Sequence, residues 1–186
     1  LHHWWLDTDE QEYLDDDGLD RTVRVRLLAH LDQLNAVLEN YPAFFSAMRP
    51  LFRADGPTRV LDLAADHGGF ALEAARIARR EGIALQIAAT DLKREYLDLG
   101  EPVAQREGLP VSFAVQDALD LSNLERGAYD LVITTQSLHH FSPGMAALML
   151  AEAERAATRG VVFVDGCRAV FSGAAVSGLC LLRWGD

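Results

Sequence analysis

The chain has 186 residues, of which 49% are hydrophobic and 24% are charged, and its formal net charge at pH 7 is −11. This composition is typical of one ordinary globular domain with a real core, and no run approaches the roughly 18 apolar residues that a membrane span needs. The negative charge argues against broad binding to DNA or RNA, whose phosphates require a basic surface, and favours small-molecule, protein or cationic partners.

The two ends of the chain bear on its compartment and its extent. Residues 1–20 include neither a methionine nor a basic signal region, and eight acids crowd the part from residue 7 onward. We expect this segment to be a solvated acidic lead-in and the sequence to be a fragment. Cys167 and Cys180 predict free thiols in a reducing compartment, which indicates a cytoplasmic protein.

Residues 21–57 predict a helical cap. Asp20 has an N-cap side chain, so a helix is expected to begin at Arg21 and to end at Pro42, followed by a second short helix over 43–52. The apolar residues of the first helix recur at three- and four-residue steps and predict one stripe: Val23, Leu27, Leu31, Leu34 and Leu38. Four further side chains either roof a site or only cover the sheet: Tyr41, Phe44, Phe45 and Met48.

Residues 58–186 alternate apolar strands with helices. The predicted strands are Arg59–Leu63, Leu85–Thr90, Val111–Val115, Tyr129–Thr135 and Gly160–Val164. The predicted helices are 69–81, 93–107, 143–158 and 168–184, with Gly82 and Gly160 at helix ends. Apolar strands of this kind are typical of a parallel sheet that is buried on both faces. The pattern therefore predicts a three-layer α/β fold with a mostly parallel, Rossmann-like sheet.

The first strand of this region runs into a loop of small residues, Ala64-Ala65-Asp66-His67-Gly68-Gly69. In an open α/β sheet, ligands bind at the carboxyl ends of the strands, and a helix N-terminus offers free N–H groups there. A dinucleotide site requires three spaced glycines, and the carboxylate of Asp66 would repel a pyrophosphate. The loop therefore favours a nucleotide-like cofactor other than NAD or FAD.

Acidic residues also end the next two strands. Asp91 follows the second strand at the distance of an acid that accepts hydrogen bonds from ribose hydroxyls. Asp117 ends the third strand, where an acid and a free backbone N–H are able to read an adenine edge. Together with Asp62 and Asp66, these residues predict an acidic pocket for a cation that carries an adenosine.

These motifs resemble a class I S-adenosylmethionine (SAM)-dependent methyltransferase. The first motif of that family reads roughly V-L-D-x-G-x-G-x-G, and residues 60–68 match its leading acid and its last glycine. Some small-molecule O-methyltransferases carry a variant similar to L-D-I-A-A-G-H-G, from which only Asp66 departs. The later motifs follow in order over residues 58–170: Asp91, then Asp117-Ala118, then Tyr129-Asp130-Leu131-Val132 leading to Leu138-His139-His140-Phe141.

The resemblance implies SAM as the cofactor and S-adenosylhomocysteine (SAH) as its product. The residues that it implies for binding are Asp62, Ala64, Ala65, Asp66, His67, Gly68, Asp91, Leu92, Gln116, Asp117, Ala118, Thr135 and Gln136. It also implies two further strands that close the sheet, and the sequence ends before them, after the predicted helix over 168–184. A homodimer is left open as the oligomeric state.

Asp66 has three interpretations at this point. It is a turn residue whose carboxylate faces solvent, a contact to the cationic end of the cofactor, or a change that weakens cofactor binding. Asp tolerates a positive φ better than most residues, although less well than glycine.

His139 and His140 are candidates to take a proton from a substrate hydroxyl, because histidine titrates near neutral pH. The alternative is that one of them packs against the edge of the sheet. No metal site is expected, since adjacent histidines rarely converge on one ion. Asp165 and Arg168 are either an ion pair or part of the substrate side.

The fourth strand ends in Thr-Thr-Gln-Ser and not in Asn-Pro-Pro-Tyr, so the pattern of enzymes that methylate nucleic-acid and glutamine nitrogens is absent. With the acidic charge, this favours a small-molecule methyl acceptor and a hydroxyl as its nucleophile. Two alternatives stand beside this hypothesis. One is a non-catalytic methyltransferase-like accessory protein with a degenerate loop, and the other is an NAD-type oxidoreductase, which the loop disfavours.

Overall fold

The structure, a computed structural model, describes Gly18 and residues 20–165. Several expectations lie outside the described residues: most of the acidic lead-in, the helix over 168–184, the two thiols, Arg168 and the two closing strands. The division into a lead-in, a cap and a cofactor-binding domain stays a prediction.

The described chain forms one sheet of five parallel strands in the order β3-β2-β1-β4-β5. The strands are β1 (Thr58–Leu63), β2 (Leu85–Asp91), β3 (Val111–Val115), β4 (Tyr129–Thr135) and β5 (Ala157–Val164). The chain moves outward from β1 to β3 and then returns to the other side of β1, so the strand order reverses between β1 and β4. Ligand sites of open α/β sheets lie at such a reversal, beyond the carboxyl ends of the strands.

Helices cover both faces of the sheet, which confirms the three-layer α/β prediction. They are α1 (Arg21–Val37), α2 (Asn40–Met48), α3 (Gly69–Glu81), α4 (Arg94–Glu107) and α5 (Pro143–Ala156), with short 3₁₀ turns at Arg49–Leu51 and Leu138–His140. On one face, α2 and α3 pack on the sheet in a core that contains Phe44, Phe45 and Met48. On the other face, α5 packs through Met149 and Ala153. Of the aromatic and apolar cap residues, these three from α2 therefore cover the sheet.

The boundary between the first two helices differs from the prediction. Helix α1 ends at Val37. Glu39 takes a left-handed conformation with φ of 55°, and this residue turns the chain from α1 into α2. Pro42 lies in the first turn of α2, where its missing N–H leaves no hydrogen bond unmade. The prediction that Pro42 ends the first helix was wrong because a left-handed residue, and not the proline, breaks the helix.

Helix α5 ends earlier than predicted, and strand β5 begins earlier than predicted. Helix α5 stops at Ala156, and Ala157 is already extended and pairs with Tyr129 of β4. Gly160 is thus inside β5 and not at a helix end. A Cβ there would lie 3.1 Å from the Leu51 side chain, so the glycine admits that side chain against the strand. Strand β3 is only partly buried, because it is the edge of the described sheet.

The predicted apolar stripe of α1 does not face the core. The residues of α1 that are buried are Arg24, Leu28 and Asn35. Four of the five stripe residues are exposed within the described structure: Val23, Leu31, Leu34 and Leu38. The reason is that α1 packs over the polar carboxyl end of the sheet, so polar contacts and not apolar area decide which side faces inward. None of the described helices has the length and apolar character to cross a membrane.

Candidate cofactor and acceptor site

A cleft of about 230 Å³ lies over the carboxyl ends of β1 and β4, beneath α1. The predicted site residues that line it are Ala64, Ala65, Asp66, His67, Thr135, Gln136, His139 and His140. Sequence reasoning missed another part of its lining, which includes Leu28, Leu31, Asp32, Asn35, Phe70 and Tyr96. Tyr41 also lines the cleft, so among the aromatic cap residues it is the one that roofs the site.

The loop after β1 keeps the backbone of a glycine-rich loop although two glycines are replaced. Ala64, Asp66 and Gly68 stand where the family motif has its three glycines, and their φ angles are 50°, 50° and 75°. A left-handed conformation costs an L-residue roughly 1–2 kcal/mol, so surrounding contacts have to hold the first two residues there. Gly68 has a further constraint, because a Cβ there would lie 2.6 Å from the ring of Phe113.

Neighbouring strand ends supply the contacts that hold this loop. The backbone N–H of Asp66 donates to the Asp91 carboxylate at 3.0 Å, and the N–H of Ala65 donates to the Thr90 carbonyl at 2.9 Å. From the other side, the Ser137 hydroxyl donates to the Ala64 carbonyl at 2.9 Å. The loop is therefore tied both to the end of β2 and to the segment that follows β4.

Asp62 is buried at the end of β1, with 1% of its surface exposed. Its Oδ1 has no hydrogen-bond partner among the described residues. Burial raises the pKa of this carboxyl well above its ordinary value, and the nearby charges of Asp66 and Asp91 raise it further. A bound cation stabilises a buried acceptor of this kind, so Asp62 suits the ammonium group of SAM, although it lies behind the residues that line the cleft and is not one of them.

This carboxyl predicts how the stability of the cofactor-free protein depends on pH. Because the pKa of Asp62 is raised above 3.8, the folded protein binds this proton more tightly than the unfolded chain does. The contribution of Asp62 to stability therefore falls as pH rises from 3.8 towards the raised pKa. In urea unfolding at a series of pH values, we expect Asp62→Asn to gain stability relative to wild type as pH rises through this window.

Asp130 provides a control, because its pKa is shifted in the opposite direction to that of Asp62. Burial alone would raise the pKa of Asp130, but the backbone N–H of Arg59, which donates to it at 2.8 Å, and the guanidinium groups of Arg59 and Arg53 hold it below 3.8. Its stabilisation is present above pH 3.8 and is lost as pH falls through the lowered pKa. Asp130→Asn should therefore cost stability at neutral pH and cost less in acid. The same pH trend in both variants would contradict the assignment of Asp62.

The end of β2 presents Asp91 beside the loop. Asp91 is 8% exposed, and its carboxylate also accepts a hydrogen bond from the Lys93 N–H at 2.9 Å. Burial raises its pKa, against the lowering effect of these hydrogen bonds. Two exposed apolar side chains, Leu92 and Val115, follow along the same edge of the sheet.

The predicted adenine residues lie on this edge but do not line the cleft. The N–H of Gln116 donates to the Asp91 carbonyl, which ties the end of β3 to the end of β2. The exposed carboxylate of Asp117 accepts the N–H of Leu119 at 2.8 Å and so closes a turn. Ala118 is buried in the core beneath α5. The structure thus gives Asp117 the role of a turn residue, and its contact to a cofactor stays a prediction.

A polar network joins α1 to the loop. The Asp32 carboxylate lies 2.9 Å from His67 Nε2 and accepts the Tyr41 hydroxyl at 2.7 Å. Burial alone would lower the pKa of His67, but the hydrogen bond and charge of Asp32 raise it. A Cβ on Gly69 would lie 2.5 Å from Asp32 Oδ1, so a side chain at this position would displace the Asp32 carboxylate from the network. The sequence offered no signal for Asp32, since its importance comes only from packing α1 over the loop.

The segment after β4 carries the two histidines. His139 Nδ1 lies 2.9 and 3.0 Å from the two carboxylate oxygens of Asp165, and the His139 N–H donates to the same carboxylate at 2.7 Å. The carboxylate accepts Nδ1–H, which fixes the tautomer that has Nε2 as the basic nitrogen. His140 packs beside it, with ring centroids 4.2 Å apart. His139 therefore has a carboxylate partner that is able to orient it as a general base.

No group of three or more His, Cys, Asp or Glu side chains in the described part of the chain has a metal-binding arrangement.

The sequence matches a family profile described as a methyltransferase domain over residues 60–160, which is more than half of the chain. The chain belongs to this methyltransferase domain family. The match runs from the strand before the loop to the middle of β5, so it includes the loop, Asp91 and both histidines. No curated protein matches the sequence of this methyltransferase domain.

Several solved structures share the fold of this chain. A SAM-dependent methyltransferase from Aquifex aeolicus is 16% identical with a TM-score of 0.52, over 65% of this chain and 62% of that one. A putative SAM-dependent methyltransferase from Methanococcus maripaludis is 15% identical with a TM-score of 0.56, over 74% and 62%. The cyclase SpnF is 23% identical with a TM-score of 0.56, over 67% and 44%.

These likenesses show that the methyltransferase has the class I fold. The chain spans between 44% and 62% of the length of the three proteins. One fold hosts different reactions, and a cyclase is among these three, so the reaction has to be argued from the site itself.

Proposed function

We propose that this methyltransferase uses SAM to methylate a small molecule in the cytoplasm, with a hydroxyl as the candidate nucleophile. The observation that carries the proposal is the buried, unpartnered acceptor of Asp62 beside a loop with a glycine-like backbone. Such an arrangement suits a cation that approaches the loop closely. Bound SAM supplies an electrophilic methyl group on a sulfonium, so the protein has mainly to orient the reactants and exclude water.

Each proposed cofactor residue has a distinct task. Asp62 accepts hydrogen bonds from the amino group, and Asp91 accepts them from the ribose hydroxyls. The exposed apolar side chains of Leu92 and Val115 offer a surface on which an adenine is able to pack. Asp66 lines the cleft, so its charge favours a cationic ligand and disfavours an anionic one. This supports a contact to the cationic end of the cofactor over a carboxylate in open solvent.

The acceptor side is proposed to lie between α1 and the histidines. Leu28 and Leu31 of α1 form an apolar wall of the cleft that helps to exclude water. His139, oriented by Asp165, would take the proton from the acceptor hydroxyl as its oxygen attacks the methyl carbon. A hydroxyl needs this proton transfer, because its oxygen is a weak nucleophile while protonated.

Isothermal titration calorimetry with SAM, SAH and NAD tests the cofactor assignment. We expect SAM and SAH to bind and NAD not to bind. Asp91→Ala should weaken SAH binding by about 100-fold, since loss of a buried hydrogen-bonded carboxylate removes roughly 2–3 kcal/mol. Asp55→Ala is the control, because Asp55 is exposed and its ion-pair partner within residues 20–165 is Arg53, at 3.1 Å.

Other outcomes distinguish the alternatives. Binding of NAD alone would indicate an oxidoreductase. Absence of all binding in wild type, with recovery of SAH binding in Asp66→Gly, would indicate an accessory protein with a degenerate loop. If SAH binds and methyl transfer responds only to nucleic acid or protein acceptors, the small-molecule assignment is wrong.

A further inference from the structure

Residues 64–69 after β1 form the loop that we propose to bind the cofactor, called the cofactor loop below. The strained position in this loop is Ala64. Its φ of 50° lies in the left-handed region, which glycine adopts freely and which Asp or Asn tolerates through local hydrogen bonds. Alanine has neither advantage, because it has a Cβ and no polar atom on its side chain. A contact from elsewhere in the protein therefore has to hold Ala64 in this conformation.

Ser137 makes such a contact. It is 6% exposed, and its hydroxyl donates to the Ala64 carbonyl at 2.9 Å and lies 3.2 Å from the Thr135 carbonyl. The turn that carries Ser137 is itself anchored, because the N–H of Gln136 donates to the Val164 carbonyl at 2.7 Å. Gln136 also has a positive φ, of 58°. The hydroxyl is therefore presented to the loop from a turn that is held against β5.

The same turn leads to the proposed base. His139 lies two residues after Ser137, and its own partner, Asp165, directly follows β5. One short segment thus touches the cofactor loop through a hydroxyl and the acceptor side through an imidazole. A shift of this segment would change both the loop and the position of His139.

We propose that Ser137 is a positioning residue that keeps Ala64 in the glycine-like conformation needed for cofactor binding. The proposal rests on the proposed function, because it assigns Ser137 to the cofactor loop of that site. It assigns no contact between Ser137 and the cofactor. Ser137 acts through the backbone of Ala64, and a glycine at position 64 would make its hydrogen bond dispensable.

A double-mutant cycle between positions 64 and 137 tests this role. Ser137→Ala should raise the Kd for SAH by about tenfold, since it removes a buried hydrogen bond that holds the loop. In the Ala64→Gly background, the same substitution should raise the Kd by no more than about twofold, because contacting residues are not additive. A merely structural role of Ser137 predicts equal effects in both backgrounds.

Ser142→Ala is the matched control. The Ser142 hydroxyl caps α5 by accepting the N–H of Met145 at 3.4 Å, and within the described part of the chain it makes no hydrogen bond to the loop. Its effect on stability should be the same with alanine or glycine at position 64. If Ser137→Ala prevents folding, Ser137→Cys keeps the size of the side chain while weakening its donor, and it replaces alanine in the cycle.

Urea unfolding of the same variants without cofactor keeps the two proposals separate. If wild type binds neither SAM nor SAH, the proposed function fails. The unfolding cycle still decides the role of Ser137, because the strain at Ala64 exists without cofactor. Additive effects of Ala64→Gly and Ser137→Ala in both binding and unfolding would overturn the inference.

Discussion

Gly100→Ala is expected to destabilise the protein by about 3 kcal/mol and to abolish measurable SAH binding, because helix α4 then collides with the cofactor loop. A Cβ at position 100 would lie 1.9 Å from the carbonyl oxygen of His67. It would also lie 2.8 Å from the Phe113 ring. A side chain is able to move aside, but the carbonyl belongs to the loop backbone. Either α4 or the loop has to shift, and both changes move the binding surface.

Urea unfolding and calorimetry with SAH measure the two effects. Gly144→Ala is the matched control, since Gly144 also lies in a helix and a Cβ there meets nothing within 4 Å. That control should be neutral or slightly stabilising, because alanine favours helix by up to about 1 kcal/mol over glycine. Similar behaviour of the two variants would show that α4 does not approach the loop this closely.

His139→Ala is expected to lower kcat by roughly 10²- to 10⁴-fold for a hydroxyl acceptor, which is the usual contribution of a positioned general base. The Kd for SAH should change by less than about threefold, because the role that we propose for His139 is to act on the acceptor and not on the cofactor. Asp165→Asn should also lower kcat, by up to about 10⁴-fold, because the amide removes the charge and is able to donate to Nδ1, which favours the tautomer whose Nε2 carries the proton.

His140→Ala separates the two adjacent histidines. The two rings pack together, and the proposed base is His139, whose Nδ1 is hydrogen-bonded to Asp165. We expect His140→Ala to keep most of the activity. Loss of activity in His140→Ala with normal kcat in His139→Ala would assign the base to the other residue. An acceptor that needs no deprotonation would leave kcat unchanged in both variants.

The local sequence pattern determined the elements of the sheet and indicated where the candidate site lies. The parallel strands are short apolar runs, so β3 and β4 have the predicted bounds, and β1 and β2 differ by one residue each. The acids at strand ends follow from the same pattern, because parallel strands deliver their carboxyl ends to one edge. The ends of α1 and α5 were missed, because a left-handed residue at Glu39 and strand pairing at Ala157 override helix signals.

The tertiary structure decided how these residues are used. The φ angles at Ala64 and Asp66 depend on Asp91 and Ser137, which lie far away in sequence. The inward face of α1 is polar because the helix covers a polar edge, so Asp32 had no local signal. The proposal that His139 is the base required the position of Asp165 at the end of the neighbouring strand. The small-residue loop can therefore be recognised in the sequence alone. Its glycine-like backbone conformation exists only because residues distant in sequence hold it in the folded protein.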